Sequence, residues 1–316
     1  MKVLITGGAG FIGSHLTDRL LGRGDEVLVI DNFATARRDS LSQHSRLTVV
    51  EGTIAEEAVV SRLLSEMHPD VVVHAAASYK DPDNWYEDGL TNVVGTVNVV
   101  KAARAAGTRR IVYFQTALCY GVRPLEQPIT LDHPLRPGDS SYASSKTAGE
   151  HYVRLSGIGH VSLRLANVYG PRNLSGPLPT FYQRLTGGKP CFVMETRRDF
   201  VFVDDLVDVA VMAIDGHGEG FYHVSSGADI SIKDLFDATL KGLGMKADVE
   251  VRPRNPDDAP SILLDPSRTT RDFSGWKPKV SLDTGVSKAI EWYREHGVSQ
   301  TFTHLRSSEA ASTASR

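Results

Sequence analysis

Tyr142 and Lys146, in the stretch "SSYASSK", are the first residues whose types and spacing suggest chemistry. Residues four apart on a helix lie on one face, although an exposed helix face can show the same spacing. A tyrosine with its ordinary pKa near 10 is a poor base at neutral pH, but a neighbouring ammonium group favours the phenolate. Lowering the pKa by about three units corresponds to roughly 4 kcal/mol. The pair therefore predicts a general acid–base catalyst.

Thr116, in "FQTALCYG", is a third candidate. It follows the apolar run 111–113, which predicts a buried strand, and ligands gather at the carboxyl ends of parallel strands. A hydroxyl there can share the proton that moves during a reaction. Leu118 is apolar at the next position on the same face, and strand alternation predicts that Cys119 points away from the pocket.

Three glycines lie in "TGGAGFIGSHL", between a predicted strand and a predicted helix. Gly7 permits a tight turn, Gly10 lets the backbone approach a pyrophosphate, and Gly13 allows close packing of helix on strand. The N-terminus of the helix then offers unpaired N–H groups to phosphates. The motif predicts a dinucleotide site.

Asp31 ends the second predicted strand and can accept hydrogen bonds from the adenosine ribose. This favours NAD over NADP, because the carboxylate would repel a 2′-phosphate. Arg37 and Arg38 nearby leave NADP open as the alternative. A positive nicotinamide ring would add to Lys146 in favouring the phenolate of Tyr142.

The elements that must position these residues alternate along the chain. Strands are predicted over residues 2–6, 26–30, 47–50, 70–74, 110–115 and 161–165, and helices over residues 11–22, 56–67, 85–106 and 141–155. Strands that are nearly continuous Val/Ile runs, alternating with helices, indicate a parallel sheet covered on both faces. The predicted fold class is α/β, a Rossmann-type doubly wound parallel sheet with a smaller C-terminal substrate-binding lobe.

The pattern changes after residue 166, where "GPRNLSGPLP" makes proline and glycine dense. Helices are predicted over residues 179–187, 204–214 and 233–242. We expect a dinucleotide-binding domain over residues 1–166, with part of 200–226 returning to it, and an interleaved substrate lobe over residues 167–306. The small, polar residues 307–316 predict a disordered tail.

Composition excludes several classes of protein. The chain has 316 residues, 41% hydrophobic and 23% charged, with a net charge of −3, which argues against a nucleic-acid or anionic-membrane surface. No apolar run approaches the roughly 20 residues that span a bilayer, and "MKVLITGG" enters a strand at once, leaving no room for a signal peptide. Cys119 and Cys191 are expected to be buried free thiols. We expect a cytoplasmic protein, and no metal motif such as His-Glu-x-x-His occurs.

Together these motifs resemble the extended short-chain dehydrogenase/reductase family, in its NAD-dependent nucleotide-sugar epimerase/dehydratase branch. The resemblance covers residues 1–296 and rests on "TGGAGFIG", "HAAA", "TNVVGT", the Thr116–Tyr142–Lys146 set, "RLANVYGPR" and "RDFVFVDDL". The chain looks most like UDP-sugar 4-epimerases and enzymes of bacterial surface-polysaccharide sugars such as O-antigens. The resemblance implies NAD contacts at Gly7, Gly10, Phe11, Ile12, Gly13, Asp31, Asn32, Thr53, Ile54, Ala75, Ala76, Ala77, Asn92, Tyr142 and Lys146.

One cofactor position departs from the family. Thr53 stands where an acidic residue usually follows Gly52 and contacts adenine, which weakens that contact. His74, at a strand end, is expected to be structural rather than a proton carrier.

The resemblance also implies a nucleotide-sugar substrate, with contacts at Tyr79, Lys80, Asn167, Leu178, Arg198 and Arg254. Asn167 matches a position that contacts phosphate or ribose, and Arg198 matches an arginine that pairs with the diphosphate. Arg254 matches a second such arginine, with Arg252 as the alternative because the spacing departs by one residue. Leu178 lies in "GPLPTFY", a segment whose backbone often reads uracil, and Tyr79 or Lys80 is expected to reach the sugar or the cofactor.

Ala117 and Leu118 narrow the expected reaction. Members that resemble 4,6-dehydratases carry Asp and Glu at these positions, decarboxylases carry an acid at the second, and 3,5-epimerising enzymes carry cysteine there. The sequence therefore favours simple oxidation at C4 with return of the hydride, as in a UDP-hexose 4-epimerase. A 4-ketoreductase or dehydratase of the same family and a catalytically silent dinucleotide sensor are the alternatives.

The family also implies a homodimer in which helices 85–106 and 141–155 pair with their copies. Val93, Val97 and Val100 fit one helical stripe for that contact. The alternative is that this stripe packs on the protein's own sheet.

Overall fold

The structure is a computed structural model that describes residues 1–79, 81–254 and 258–302. Lys80 and the predicted disordered tail, 307–316, lie outside the described residues. The strands are β1 (Lys2–Thr6), β2 (Glu26–Asp31), β3 (Leu47–Glu51), β4 (Val71–His74), β5 (Arg110–Thr116), β6 (Gly159–Leu165), β7 (Asn167–Tyr169), β8 (Phe192–Met194), β9 (Arg197–Arg198), β10 (Phe200–Phe202), β11 (Gly220–Val224), β12 (Ile230–Ser231), β13 (Glu250–Arg252) and β14 (Ser261–Ile262). The α-helices are α1 (Phe11–Arg23), α2 (Glu57–Met67), α3 (Trp85–Asp88), α4 (Thr96–Ala105), α5 (Ser141–Leu155), α6 (Pro177–Thr186), α7 (Val203–Ile214), α8 (Ile232–Leu243), α9 (Ser267–Asp272) and α10 (Leu282–His296).

A seven-stranded sheet has the order β11-β6-β5-β4-β1-β2-β3, and its strand pairs are parallel. This confirms the predicted Rossmann-type α/β fold. The strand order reverses between β1 and β4, and ligands of such sheets bind outside the carboxyl ends of the strands at this point. The glycine turn, Asp31 and Thr116 all follow or end strands at that edge.

Alternate residues of the strands lie on opposite faces of the sheet and belong to two hydrophobic cores. One core joins Leu4 and Val72 to α2, α4 and α5, and the other joins Ile5 and Val73 to α1 and α7. Full burial of each such side chain stabilises the fold by roughly 1.5–3 kcal/mol. The near-continuous apolar strands are thus explained by a sheet that is covered on both faces.

The part of the chain after β6 forms small sheets and helices beside the large sheet. β7 pairs with β10, β8 pairs with β13, and β9 lies between β12 and β14. Between these elements the chain contributes β11 to the edge of the large sheet. The division into domains at residue 166 stays a prediction.

The segment predicted as one helix over residues 85–106 is helical but is not one regular α-helix. Residues Gly89–Gly95 form a π-helix between α3 and α4. The wider turn brings the side chain of Asn92 to both backbone polar groups of Ser78. Such segments often accompany functional sites.

The prediction that Val93, Val97 and Val100 form a dimer contact is also wrong for Val100. Val100 is buried in the core between α4 and α2. Trp85, Tyr86 and Val94 are exposed instead.

Cys119 and Cys191 are free and buried, as expected. Within the described residues, no helix is long and apolar enough to cross a bilayer.

Candidate active site

The turn between β1 and α1 presents backbone N–H groups at the carboxyl edge of the sheet. Gly7 has a φ of +69°, and a Cβ atom there would lie 2.7 Å from the backbone of Ala76. A Cβ atom on Gly13 would overlap the Gly7 carbonyl oxygen. Gly10 is the N-cap of α1, and the described first turn, with Phe11 and Ile12, contains no side-chain cap and no acidic residue. These residues fit the diphosphate of a dinucleotide.

Asp31 shapes the loop that follows β2. Its carboxylate accepts hydrogen bonds from the backbone N–H groups of Ala9 at 3.0 Å and Phe33 at 2.8 Å. Burial raises the pKa of the carboxyl group, and the backbone donors oppose that rise. The Gly10 N–H also acts on this carboxylate, and a carboxylate has about four lone-pair sites, so Asp31 can still accept from a ribose hydroxyl. Asn32 is exposed, and its side-chain oxygen accepts from the Ala34 N–H at 3.1 Å.

The two arginines that left NADP open are in ion pairs. Arg37 pairs with Asp39 and Arg38 with Glu51, each at 2.7 Å. Arg37 is half-buried and also donates to the His296 carbonyl at 2.9 Å, whereas the Arg38–Glu51 pair is exposed and therefore weak. Because the carboxylates of Asp39 and Glu51 occupy both guanidinium groups, the ion pairs disfavour binding of a 2′-phosphate, but only modestly.

The loop after β4, with Ala75, Ala76 and Ala77, is tied to the glycine turn. The Ala75 N–H donates to the Thr6 carbonyl at 3.0 Å, and the Ala76 N–H donates to the Thr6 hydroxyl at 3.2 Å. This loop therefore lines the groove next to the diphosphate position.

Asn92 lies behind that loop rather than open to the groove. Its side chain accepts from the Ser78 N–H at 2.9 Å and donates to the Ser78 carbonyl at 3.1 Å and the Ser145 hydroxyl at 3.0 Å. Asn92 thus joins the loop to α5. Thr53 accepts from the Ala55 N–H at 3.2 Å, and Ile54 is buried.

β5 and α5 carry the three predicted catalytic residues. Thr116 ends β5, while Tyr142 and Lys146 lie one turn apart on α5. The Lys146 carbonyl accepts hydrogen bonds from the Tyr113 hydroxyl at 2.9 Å and the Gln115 amide at 3.2 Å. The Lys146 Nζ lies 4.1 Å from the centroid of the Tyr113 ring. These contacts fasten α5 to β5 directly before Thr116 and bring the three residues to one edge of the sheet.

Burial dominates the protonation of the Tyr–Lys pair. Lys146 is 2% exposed, and burial lowers its pKa from 10.5 to about 7, a shift that Glu150 opposes. Burial raises the pKa of Tyr142, and the neighbouring Tyr79 and Asp88 raise it further. The chain's own groups therefore raise the pKa of Tyr142. The phenolate expected beside the ammonium group and the nicotinamide ring stays a prediction.

Glu150 continues the four-residue spacing of that pair along α5. Its buried carboxylate accepts from the Arg164 guanidinium at 2.8 and 3.1 Å and from the Ser162 hydroxyl at 2.5 Å. Arg164 also donates to the Tyr120 hydroxyl at 2.7 Å. A buried pair with these additional hydrogen bonds is costly to break from one side. It fastens α5 to β6 beneath the predicted catalytic residues.

The residues after Thr116 do not continue the strand. Residues 117–120 form a 3₁₀ turn, and the Thr116 side-chain oxygen accepts from the Leu118 N–H at 3.2 Å. The strand-alternation argument for Cys119 is therefore wrong in its premise, although the thiol is fully buried and burial raises its pKa. Ala117 is buried and Leu118 packs against the core.

Arg198 and Arg254 meet at one residue of the C-terminal lobe. The Arg198 guanidinium donates to the Asp258 carboxylate at 2.6 Å, and Arg254 donates to the Asp258 backbone carbonyl at 2.9 Å. Arg252, the alternative to Arg254, pairs with Glu250 at 2.7 Å. The structure brings Arg254, not Arg252, together with Arg198.

Asn167 and Leu178, two further predicted substrate contacts, differ in their exposure to solvent. Asn167 is exposed, and its amide nitrogen lies 3.4 Å from the Asp199 carbonyl oxygen. Leu178, in the first turn of α6 after the Gly176 N-cap, is buried as a whole residue, with 2% of its surface exposed. N–H groups in a first turn have no intrahelical acceptor.

Tyr79, another predicted substrate contact, lies against the predicted catalytic residue Tyr142. Its ring contacts the Tyr142 ring edge-on, with centroids 6.4 Å apart. Burial raises the pKa of its hydroxyl, and the Thr35 side chain, on the Asp31 side of the groove, opposes that rise.

Sequence reasoning missed four residues of this site: Thr35, Asp88, Ser145 and Glu150. Asp88 is 1% exposed, and within the described residues its buried Oδ1 atom has no hydrogen-bond partner. Burial raises its pKa. Helical spacing could have indicated two of the four, because Asp88 and Glu150 each lie four residues from a residue that was singled out.

His74 is structural, as expected. Its ring nitrogens lie 2.7 Å from the Thr6 hydroxyl and 2.8 Å from the Thr96 hydroxyl. Burial holds its pKa well below the usual range. In the part of the chain that the structure describes, no group of three His, Cys, Asp or Glu side chains could hold a metal ion.

The sheet order, the glycine turn and the Tyr–Lys pair define a Rossmann-type dinucleotide-binding protein. The model of the NAD dependent epimerase/dehydratase family matches residues 3–224, from β1 to the end of β11. The chain belongs to this family of enzymes, whose cofactor is NAD.

Known proteins of similar sequence and structure agree with this assignment. The structure of Bordetella bronchiseptica WbmH in complex with NAD+ is 56% identical, with a TM-score of 0.92 over 94% of this chain and 99% of that one. WbmG of the same organism, solved with NAD and UDP, is 47% identical, with a TM-score of 0.88 over 96% of this chain and 97% of that one. A UDP-glucose 4-epimerase of Mycolicibacterium smegmatis is 35% identical over 312 residues, which cover 93% of this chain and 99% of the relative.

Proposed function

We propose that the protein is a UDP-hexose 4-epimerase, which oxidises the C4 hydroxyl of the sugar to a ketone and reduces that ketone from its other face. The observation that carries the proposal is the end of β5. There Thr116 is followed by buried Ala117 and by Leu118, which packs against the core. Neither side chain has an ionisable group, so neither can transfer a proton at C5 or C6 of the sugar or at a sugar carboxylate. This favours a reaction that is confined to C4.

Tyr142 is the proposed acid and base. Its phenolate takes the proton of the C4 hydroxyl, and the Thr116 hydroxyl shares that proton as it moves. The resulting phenol is the form that burial favours, and it returns the proton to the C4 oxygen when the ketone is reduced. NAD, when bound, accepts and returns the hydride and adds positive charge beside the phenolate. No oxidant or reductant is consumed, so the cofactor has to stay bound.

Lys146 is the proposed electrostatic partner of Tyr142. With its pKa near 7, it can gain or lose a proton close to neutral pH. In its charged form it stabilises the phenolate, as a nearby positive charge does. The Arg164–Glu150 pair holds the helix that carries both residues.

The nucleotide half of the substrate is proposed to lie against the C-terminal lobe. Arg198 and Arg254 converge at Asp258, and the planar guanidinium suits a diphosphate better than lysine does. The backbone of Leu178 is proposed to contact the base. The complex of WbmG with NAD and UDP supports uracil as that base.

We also propose a homodimer through α3, the π-helix, α4 and α5. Trp85, Tyr86 and Leu155 are 64%, 78% and 70% exposed, which is unusual for large apolar side chains. α3 packs against α5, so the exposed residues of the two helices can form one surface.

Product analysis by NMR tests the reaction. The protein is incubated with UDP-glucose, UDP-N-acetylglucosamine and UDP-glucuronate in separate samples, with Tyr142→Phe as the control. We expect a mixture of C4 epimers from at least one substrate and no net change in NAD(P)H. A 4-keto-6-deoxy sugar or carbon dioxide would instead indicate a dehydratase or decarboxylase, and net use of NAD(P)H with a ketosugar would indicate a ketoreductase.

A further inference from the structure

Gln115 is a buried polar residue that the proposed mechanism does not use. It is the last residue of β5 before Thr116, and only 2% of its surface is exposed. Its side-chain nitrogen donates to the Lys146 carbonyl at 3.2 Å, and its side-chain oxygen accepts from the Thr116 N–H at 2.8 Å. A carbonyl can only accept and a backbone N–H can only donate, so these partners fix the orientation of the amide group. One side chain thus connects the backbone of α5 with the backbone of Thr116.

Gly149 allows α5 to lie close to β5 at this point. A Cβ atom at Gly149 would lie 2.7 Å from the Tyr113 hydroxyl oxygen. That hydroxyl donates to the same Lys146 carbonyl at 2.9 Å. Tyr113 therefore fastens α5 to the middle of β5, and Gln115 fastens it to the end of the strand, where Thr116 lies.

The Thr116 side chain is also held by the turn that follows it. Its hydroxyl oxygen accepts from the Leu118 N–H at 3.2 Å. A hydroxyl group accepts through two lone pairs and donates through one hydrogen, so this contact does not use the hydrogen. Tyr142 lies on α5, one turn before Lys146. Because Gln115 joins the Thr116 backbone to that helix, it fixes the place of the Thr116 hydroxyl relative to Tyr142.

We propose that Gln115 is a positioning residue, which sets the distance between the Thr116 hydroxyl and the Tyr142 phenol. The inference rests on the proposed function, in which these two groups share a proton. Without Gln115, the Thr116 N–H loses a buried acceptor, and the end of β5 can shift against α5. A displacement of about 1 Å can lower the rate of an enzyme by about 10²-fold. Gln115 therefore acts on turnover through Thr116 and not on binding of the substrate.

Gln115→Met tests this role, because methionine has a similar volume and makes neither hydrogen bond. In the assay for C4 epimerisation, we expect it to lower kcat by up to about 10²-fold, with the KM for the nucleotide sugar and the affinity for NAD nearly unchanged. In protein that already carries Thr116→Val, the same substitution should lower kcat no further, because the hydroxyl that Gln115 positions is absent. Unfolding midpoints establish that the variants are folded. An unchanged kcat would overturn the inference, as would an equal loss of kcat with and without the Thr116 hydroxyl.

Hydrogen exchange of the Thr116 amide, followed by NMR in the NAD-bound protein, is a second measurement that needs no substrate. Gln115→Met is expected to speed this exchange by about 2- to 13-fold, the change that loss of one ordinary hydrogen bond produces. Tyr113→Phe is the matched control, since it removes a hydrogen bond to the same Lys146 carbonyl and should leave the Thr116 amide at the wild-type rate.

Exchange at the wild-type rate in Gln115→Met would overturn the inference whatever reaction the protein catalyses. A wild-type protein that epimerises no nucleotide sugar would contradict the proposed function alone. The exchange rates would then still decide whether Gln115 holds Thr116 in place.

Discussion

Lys146→Met is expected to make the NAD-free protein more stable while abolishing epimerisation. Lys146 is almost fully buried, and its hydrogen-bonded contacts to β5 are made by its backbone carbonyl, which methionine retains. Methionine also fills a similar volume. The substitution therefore removes mainly the buried ammonium group.

The pKa of Lys146 gives the magnitude and the sign. Between the value of 10.5 for a free side chain and about 7 in the folded protein, the difference corresponds to roughly 5 kcal/mol. The unfolded chain binds the extra proton throughout this window, so the folded state gains stability as the pH rises from 7 to 10.5. The penalty is fully present below pH 7, is still about 4 kcal/mol at pH 7, and is lost above pH 10.5.

The cation–π contact with Tyr113 opposes this gain. Its loss removes roughly 0.5–2 kcal/mol, which leaves a net stabilisation of about 2–3.5 kcal/mol at pH 7. Urea unfolding at pH 7, 8.5 and 10 measures the difference, after NAD has been removed because bound cofactor adds stability by mass action. Lys101→Met is the matched control, since Lys101 is exposed and pairs with Glu57. That variant should change the free energy of unfolding by less than about 1 kcal/mol.

A variant that is less stable than the wild type at pH 7 would refute this reasoning. So would a stabilisation that stays constant from pH 7 to pH 10, because it would then come from packing and not from the buried charge. Equal behaviour of Lys146→Met and Lys101→Met would mean that Lys146 keeps an ordinary pKa in the folded protein.

Three further predictions concern the cofactor, the reaction and the assembly. Tyr142→Phe is expected to lower turnover by about 10²–10⁴-fold with NAD and UDP affinities nearly unchanged in calorimetry; a large loss of NAD affinity would contradict a role confined to proton transfer. Purified protein should carry NAD(H), and Asp31→Asn should weaken the preference for NAD over NADP while keeping an acceptor for one of the two backbone N–H groups that Asp31→Ala would both leave unpaired; equal binding of both cofactors by the wild type would show that Asp31 does not select. Light scattering at micromolar concentration should give a dimer, and Trp85→Asp or Leu155→Asp should give monomers, whereas a monomeric wild type would exclude the proposed interface.

Much of the architecture could be predicted because it depends on local patterns. Near-continuous Val/Ile strands alternating with helices indicate a parallel sheet whatever the details of packing, and α5 begins and ends where its pattern predicts. The helices α9 and α10 were not predicted, although Ser281 caps α10 and Gly297 ends it. The π-helix could not be read from periodicity, because a short widened segment leaves the apolar pattern almost unchanged.

The sequence by itself determined the family and the cofactor, and it identified the residues that are proposed to act at C4. Glycine spacing, an acidic strand end and a Tyr-x-x-x-Lys pair each have local physical requirements, so their meaning survives without coordinates. Only the tertiary structure decided the protonation of that pair and the partners of its neighbours. Burial depends on every element packed around these two residues, and it lowers the pKa of Lys146 and raises the pKa of Tyr142. Contacts such as Tyr79 with Tyr142 and Arg198 with Asp258 likewise join segments that are distant in sequence and meet only when the chain is folded.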